Sequence, residues 1–238
     1  MSGNPSRSGA CLDPAALARD AAAGGPYDVI AADPPWQHDS TPGGGRGAAV
    51  NHYRTMGVDE ISAMWPAIYQ LAARPSLLAL WCPDSMMREG LQVMRSWGYE
   101  YLKIGFVWVK TTRTRYSLGG PEVRERIEAG EPMVWDLELE GDAVTAYARG
   151  LKMGLGRTTR SGAEFCLFGR LGRMLPVEDR GVAQVFLAPL PGLRRGEHSR
   201  KPEIYMERLE RMWPAARRLE LFGRRRRRGW MVWGDEVP

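Results

Sequence analysis

The chain has 238 residues, of which 44% are hydrophobic, so it can bury a sizeable core in one α/β domain or two small ones. No apolar run approaches the roughly 18 residues that a membrane span needs, and the start of the chain lacks a secretory segment, so we expect a soluble, cytoplasmic protein without a membrane partner. The three cysteines and three histidines show no zinc-type spacing, so neither a disulfide framework nor a metal site is supported.

Strand and helix patterns alternate along the chain. Residues 1–26 are rich in Gly, Ser, Ala and Pro and are expected to form a flexible arm containing a short helix over 14–22. Apolar runs predict strands over 27–32, 76–82, 101–109, 163–169, 182–188, 218–222 and 230–233. Helical periodicity predicts helices over 57–73, over 84–97 and over 202–212, and Pro66 should either kink the first of them or start a second segment there.

This alternation predicts an α/β fold with a mostly parallel sheet and helices on both faces, in a single domain over 27–238. Residues 111–153 lack apolar periodicity and are predicted to be a long loop insertion, which is either functional or disordered. In parallel sheets, ligands bind at the carboxyl ends of the strands. The loops at Asp33 and Gly223 both follow such ends, and we expect them to share one cleft.

The tetrapeptide Asp33-Pro34-Pro35-Trp36 follows the first predicted strand directly. Its two prolines remove two N–H donors, so the loop presents carbonyl oxygens beside a carboxylate and a flat indole. An aromatic amine such as adenine N6 suits that combination, because Asp33 and the Pro34 carbonyl can each accept one N–H while Trp36 stacks on the ring. The alternative interpretation is an Asp-Pro turn beside a core tryptophan.

The net charge is only +5, but arginines are clustered, and a basic surface attracts phosphate backbones without reading sequence. A generally Arg-rich proteome would give a similar pattern. The arginine run over 224–228 is either a binding element or a solvated tail. The residues that we expect to hold a nucleic acid backbone are Arg113, Arg115, Arg157, Arg160, Arg194, Arg195 and Arg200.

Several ordered blocks resemble the MT-A70 family of adenine-N6 methyltransferases. They are ADPPW at 32–36, HYRTM at 52–56, LW at 80–81, WGYEYLKIGFVWVK at 97–110, the strand at 162–169 with Glu164, EHSRKPE at 197–203, ELFGR at 220–224 and GWMVWGDE at 229–236. The resemblance covers about 27–110 and 155–238 and implies a Rossmann-like methyltransferase sheet in permuted motif order. It also implies S-adenosylmethionine as the methyl donor.

The resemblance assigns roles to individual residues. The catalytic motif would comprise Asp33, Pro34, Pro35 and Trp36. Asp33 would contact the target amine and lie near the methionine part of the donor. Tyr53 would line the pocket between donor and base. Lys201 would pair with the donor carboxylate, although it could also be a solvated lysine. The remaining donor contacts would come from Glu220, Arg224 and Arg226 at the ribose and methionine portions and from Asp235 and Glu236 at the ribose hydroxyls.

Some positions depart from the family pattern. Many relatives have Gly-Asn-Glu where this chain has Gly234-Asp235-Glu236, and some have histidine at position 226. The glycine-rich segment 42–47 and the insertion 111–153 are also longer than usual. We expect DNA rather than RNA as the substrate, since no zinc-binding or low-complexity recruiting domain is present. RNA, or a catalytically silent nucleic-acid-binding subunit, remains an alternative, and a monomer and a dimer are equally compatible with the sequence.

Overall fold

The structure is a computed structural model that describes residues 14–37, 55–111, 161–189 and 200–235, together with residues 159 and 237. The chain divides into two compact units, which are described separately, and the single domain over 27–238 stays a prediction. Unit 1 comprises Met1–Phe106, Phe165–Gln184 and Met206–Pro238, and unit 2 comprises Val107–Glu164 and Val185–Tyr205.

The described residues form helices and strands in the predicted alternation. The helices are α1 (Pro14–Ala22), α2 (Val58–Ser62), α3 (Trp65–Leu71), α4 (Met87–Ser96) and α5 (Ile204–Met212), with a short 3-10 helix at Asp84–Met86. The strands are β1 (Tyr27–Ala32), β2 (Ala72–Cys82), β3 (Glu100–Thr111), β4 (Ala163–Leu171), β5 (Val185–Pro189), β6 (Arg218–Leu221) and β7 (Trp230–Trp233).

The strands form one seven-stranded sheet in the order β5-β3-β4-β2-β1-β6-β7. β1 is parallel to β2 and β6, β6 is parallel to β7, and β3 is parallel to β5. β4 is antiparallel to β2, and it also opposes β3, because Glu100 pairs with Arg170 while Lys110 pairs with Glu164. The predicted α/β fold with a mostly parallel, Rossmann-like sheet is therefore confirmed.

Helix α1 is part of the core of unit 1. It packs against α3, its residues Leu17 and Ala21 are fully buried, and the Tyr27 hydroxyl donates a hydrogen bond to the Ala21 carbonyl at 2.9 Å. The predicted short helix is confirmed, and the burial of its apolar side chains stabilises its packing against α3. Residues 1–13 lie outside the described part of the chain.

Proline and glycine set two of the helix boundaries. Pro66 lies in the first turn of α3, where its missing N–H costs no helical hydrogen bond. The segment is therefore two helices, α2 and α3, which confirms the alternative that Pro66 starts a second segment. Asp84 begins a 3-10 helix ahead of α4, and its carboxylate accepts the N–H of the neighbouring Ser85 instead of capping α4. Gly98, with a φ of 83°, ends α4 as predicted.

No helix within the described ranges is long and apolar enough to cross a membrane.

Candidate active site

The ends of the parallel strands in unit 1 are level with one another. Ala32, the last residue of β1, lies opposite Leu80 of β2 and Leu221, the last residue of β6. Leu221 in turn lies opposite Trp233, the last residue of β7. The loops that follow β1, β6 and β7 therefore start at the same edge of the sheet, which is the edge where α/β sheets bind ligands.

Asp33, Phe222 and Gly234 are the first residues of these three loops. The loops at Asp33 and Gly223 therefore begin at one sheet edge, and the cleft that they are expected to share stays a prediction. Asp33 is half-buried at the end of β1. A carboxylate in this position is partly shielded from water, which strengthens its hydrogen bonds to an incoming donor.

The backbone of the Asp-Pro-Pro-Trp loop is tied to the segment before α2. Pro35 accepts the Met56 N–H at 2.8 Å, Gln37 donates to the Met56 carbonyl at 2.9 Å, and Trp36 and Met56 form a parallel bridge. Within the loop, the Pro34 carbonyl accepts the Trp36 N–H at 2.8 Å. Both proline carbonyls thus already have one partner, and each keeps a second lone pair for a further donor.

Trp36 anchors this loop to the core. Its Nε1–H donates to the Trp81 carbonyl of β2 at 2.9 Å, and its side chain packs in the hydrophobic core of unit 1. Only 5% of Trp36 is exposed, which leaves little ring face for an incoming base. The structure therefore gives Trp36 an anchoring role, and its stacking on adenine stays a prediction.

The loops after β6 and β7 pack backbone to backbone through two glycines. Gly223 donates its N–H to the Trp233 carbonyl at 3.0 Å, and a Cβ on Gly234 would collide with the Gly223 carbonyl oxygen. The carboxyl carbon of Glu220 lies 3.1 Å from the place where a Cβ on Gly223 would stand. Only residues without a side chain permit this close approach, which brings the Glu220 carboxylate beside the two loops.

A buried carboxylate between two lysines lies in unit 2. Glu164 accepts Lys110 Nζ at 2.5 Å on one oxygen and Lys201 Nζ at 3.1 Å on the other, and the Lys201 side chain is only 7% exposed. Burial acts to raise the pKa of Glu164, but the charges of Lys201 and Lys110 and their hydrogen bonds outweigh it and hold the pKa below its ordinary value. Glu164 is therefore an anion that fixes two ammonium groups, one nearly buried on Lys201 and one partly exposed on Lys110.

The sequence model of the MT-A70 family matches residues 27–128 and 144–236 of this chain. The match includes the Asp33 loop, the strand of Glu164 and the loops after β6 and β7. The chain belongs to the MT-A70 family.

This chain is similar to several named proteins, and it covers most of one of them but only a small part of the others. Type II methyltransferase M.MunI from Mycoplasma sp is 26% identical, over 89% of this chain and 78% of the relative. The N(6)-adenosine-methyltransferase MT-A70-like protein of Arabidopsis thaliana is 27% identical, over 90% of this chain and 24% of the relative. The MT-A70-like protein of Drosophila melanogaster is 26% identical, over 90% of this chain and 27% of the relative. The chain thus spans about a quarter of these two longer relatives.

The structure describes only some of the site residues that the sequence predicted. Lys201 and Arg200 belong to unit 2, where Arg200 forms an ion pair with Glu203 at 2.7 Å. Unit 1 holds Asp33, Pro34, Pro35, Trp36, Glu220, Arg224, Arg226 and Asp235. The predicted residues outside the described part of the chain are Tyr53, Arg113, Arg115, Arg157, Arg160, Arg194, Arg195 and Glu236, and so are the segments 42–47 and 112–153.

Sequence reasoning assigned no role to Glu164, which it named only as part of a family block. The charge pattern contained a signal, because Lys110 ends one apolar strand pattern and Glu164 begins another. Opposite charges at the ends of neighbouring strands commonly pair, but only the strand order shows that these two strands are neighbours.

Proposed function

We propose that the chain transfers a methyl group from S-adenosylmethionine to the N6 amine of adenine in DNA. The observation that carries this proposal is the position of Asp33, half-buried at the carboxyl edge of the sheet in a loop whose backbone is fixed by Pro35, Trp36 and Met56. Membership of the MT-A70 family supports adenine N6 as the methyl acceptor.

The reaction needs a better nucleophile than free adenine offers, since the N6 lone pair is delocalised into the ring. Asp33 would accept one N–H of the amine, and the second lone pair of the Pro34 carbonyl would accept the other. These two bonds turn the lone pair out of the ring plane and towards the methyl carbon. Asp33 also stabilises the positive charge that develops on nitrogen, and after methyl transfer the surplus proton passes from N6 to solvent water.

S-adenosylmethionine, when bound, would supply an electrophilic methyl group on a sulfonium, whose sulfur keeps the bonding electron pair as the N–C bond forms. The side chains at the ends of β6 and β7 have suitable chemistry for its binding. Glu220 and Asp235 can accept ribose hydroxyls, and Arg224 and Arg226 can bind its polar groups. The bare backbone at Gly223 and Gly234 lets a ligand approach the loops closely.

DNA is the substrate that we propose, since the type II methyltransferase M.MunI matches this chain over most of both proteins. The N(6)-adenosine-methyltransferase relatives are much longer, so their substrates carry over less directly. An adenine in duplex DNA must leave the base stack before its amine can reach Asp33. RNA is the second candidate, because the family includes relatives named for adenosine methylation.

Tritium transfer from labelled S-adenosylmethionine to DNA and RNA oligonucleotides tests the proposal. We expect label on adenine in DNA, and a loss of at least about 100-fold in kcat for Asp33→Ala, the size typical of removing one stabilising partner of the transition state. Asp20→Ala, which removes an exposed carboxylate on α1, is the matched control and keeps full activity. Label on cytosine, or an active Asp33→Ala variant, would overturn the assignment.

The catalytically silent alternative gives a different result in the same assay. A silent subunit would bind nucleic acid but transfer no label to either polymer, and Asp33→Ala would change neither property. Label that appears only on RNA would keep the reaction and correct the substrate.

A further inference from the structure

Gln37 is the first residue after the Asp-Pro-Pro-Trp loop, and it belongs to unit 1 together with that loop. Its side chain is exposed, whereas its backbone is fixed, because the Gln37 N–H donates to the Met56 carbonyl at 2.9 Å. Within the part of the chain that the structure describes, the Gln37 amide group forms no hydrogen bond. The loop thus ends in an amide on a fixed backbone that the described residues leave available to a ligand.

Burial alternates along this loop. Pro34 and Trp36 are buried. Asp33 and Pro35 are half-buried, and Gln37 is exposed. Successive side chains of an extended backbone point to opposite sides, and the parallel bridge at Trp36 shows that the backbone is extended there. Asp33 and Gln37 are therefore both on the side of the loop that faces away from the core.

Gln37 is close enough to Asp33 to contact the same ligand. Four residues of fully extended chain span at most about 14 Å between Cα atoms. The hydrogen bond from the Trp36 N–H to the Pro34 carbonyl closes a three-residue turn that shortens this distance. Gln37 Oε1 faces Gly57, 3.7 Å from the place of a Cβ there, so the NH2 group, which is farther from that place, is the end available to a ligand.

Adenine offers an acceptor for such a donor on each side of its amine. Its ring nitrogens N1 and N7 are both acceptors, whereas cytosine has a ring nitrogen on one side of its amine and a C–H on the other. The amide of Gln37 carries two N–H donors. Since Asp33 and the Pro34 carbonyl are assigned to the two N–H groups of the amine, the acceptor that is left for Gln37 is a ring nitrogen.

We propose that Gln37 donates a hydrogen bond from Nε2 to a ring nitrogen beside the target amine. A ring that is held only through its amine can still pivot about that nitrogen, and a second contact at N1 or N7 removes this freedom. The inference rests on the proposed function and deepens it, because it adds a base-contacting residue outside the catalytic motif.

The test uses a DNA oligonucleotide in which the wild type methylates one mapped adenine, together with versions that carry 7-deazaadenine or 1-deazaadenine at that position. Each analogue keeps the amine and lacks one ring acceptor. We expect the wild-type kcat/KM to fall about three- to tenfold on one analogue, the size of one hydrogen bond between neutral groups. Gln37→Ala should be slower on adenine by a similar factor and should lose nothing further on that analogue.

Two further variants separate the hydrogen bond from side-chain shape and from general effects. Gln37→Met keeps the length of the side chain without the donor, so it should behave like Gln37→Ala, and a wild-type rate in this variant would overturn the proposed bond.

The matched control is Gln70→Ala. Gln70 is also exposed in unit 1, but it lies just before β2, whose first residue is opposite Tyr27 at the other edge of the sheet. This variant should keep both the wild-type rate and the wild-type sensitivity to the analogues. Thermal unfolding and the KM for S-adenosylmethionine should be unchanged in all three variants, which checks the fold and the donor site.

Failure of this inference is distinct from failure of the proposed function. A wild type that methylates no adenine in DNA would contradict the function before any variant is compared. If the wild type methylates adenine but responds to both analogues as Gln37→Ala does, the reaction stands and Gln37 does not contact the base.

Discussion

Glu164 illustrates how a single residue can hold several others in place. Its two oxygens bind Lys110 and Lys201 separately, so one carboxylate fixes two ammonium groups that are mostly shielded from water. Charges that lose their hydration need a partner, and removal of that partner leaves them uncompensated. Glu164 thereby fixes the position of Lys201, the residue that the family resemblance assigns to the donor carboxylate.

Glu164→Gln tests this role through stability. At pH 7 we expect a loss of about 3 kcal/mol in the free energy of unfolding, the lower end for a buried ion pair, because Lys201 and the partly exposed Lys110 lose their counterion. The pKa of Glu164 is depressed in the folded state, so its contribution is complete above the ordinary value of 4.5 and disappears as the pH falls through the lower folded value. The stabilities of the wild type and of Glu164→Gln should therefore converge as the pH falls. Denaturant titrations of both proteins from pH 7 downwards measure the difference.

The control for Glu164 is the ion pair between Glu100 and Arg170, which is 2.7 Å long but has a carboxylate side chain that is 66% exposed. Glu100→Gln should cost less than about 1 kcal/mol, since exposed pairs are well solvated. Equal losses in the two variants would contradict a special role for Glu164.

Trp36→Phe examines the anchor of the catalytic loop. It removes the hydrogen bond to the Trp81 carbonyl, and we expect a loss of about 1–3 kcal/mol in stability together with slower methyl transfer. Trp97 is a matched control, because its Nε1–H also donates to a buried backbone carbonyl, that of Ile61, at 2.9 Å. Trp97→Phe should lose similar stability and keep the rate of transfer per folded molecule. Equal effects on that rate would contradict the anchoring role.

Among the elements, the contact between the loops after β6 and β7 decides the shape of the proposed donor site. β6 and β7 are short, with four residues each, so the sheet alone gives them few hydrogen bonds. The close approach of Gly223 and Gly234 continues their pairing beyond the strands. Glu220 and Asp235 take their positions from that contact.

Gly234→Ala should separate the two loops, because the added Cβ meets backbone atoms that cannot rotate away. We expect a loss of about 1–3 kcal/mol in the free energy of unfolding and weaker binding of S-adenosylmethionine by calorimetry. At Gly57, an added Cβ meets only side-chain atoms at 3.7 and 3.8 Å, so Gly57→Ala is the control. Unchanged affinity of Gly234→Ala for S-adenosylmethionine would show that the contact between the loops does not shape the donor site.

For the whole molecule, the sequence predicted the helices and strands better than it predicted which of them are neighbours. β1 and β7 have the predicted bounds, because each is a short apolar run with clear ends. β2 begins at Ala72, four residues before the predicted start at 76, since Arg74 and Pro75 interrupt the apolar pattern without ending the strand. An apolar pattern indicates which residues are buried, so the end of a strand that mixes polar and apolar side chains is hard to locate from the sequence.

The sequence by itself determined the alternation of strands and helices, the Asp33 loop at a strand end and the family, because each depends on residues that are close along the chain. Only the tertiary structure decided that β4 runs antiparallel, that Trp36 is buried against Trp81, and that Glu164 holds Lys110 and Lys201. These contacts join residues 37 to 95 positions apart. Strand pairing and burial set such contacts, and no local periodicity encodes them.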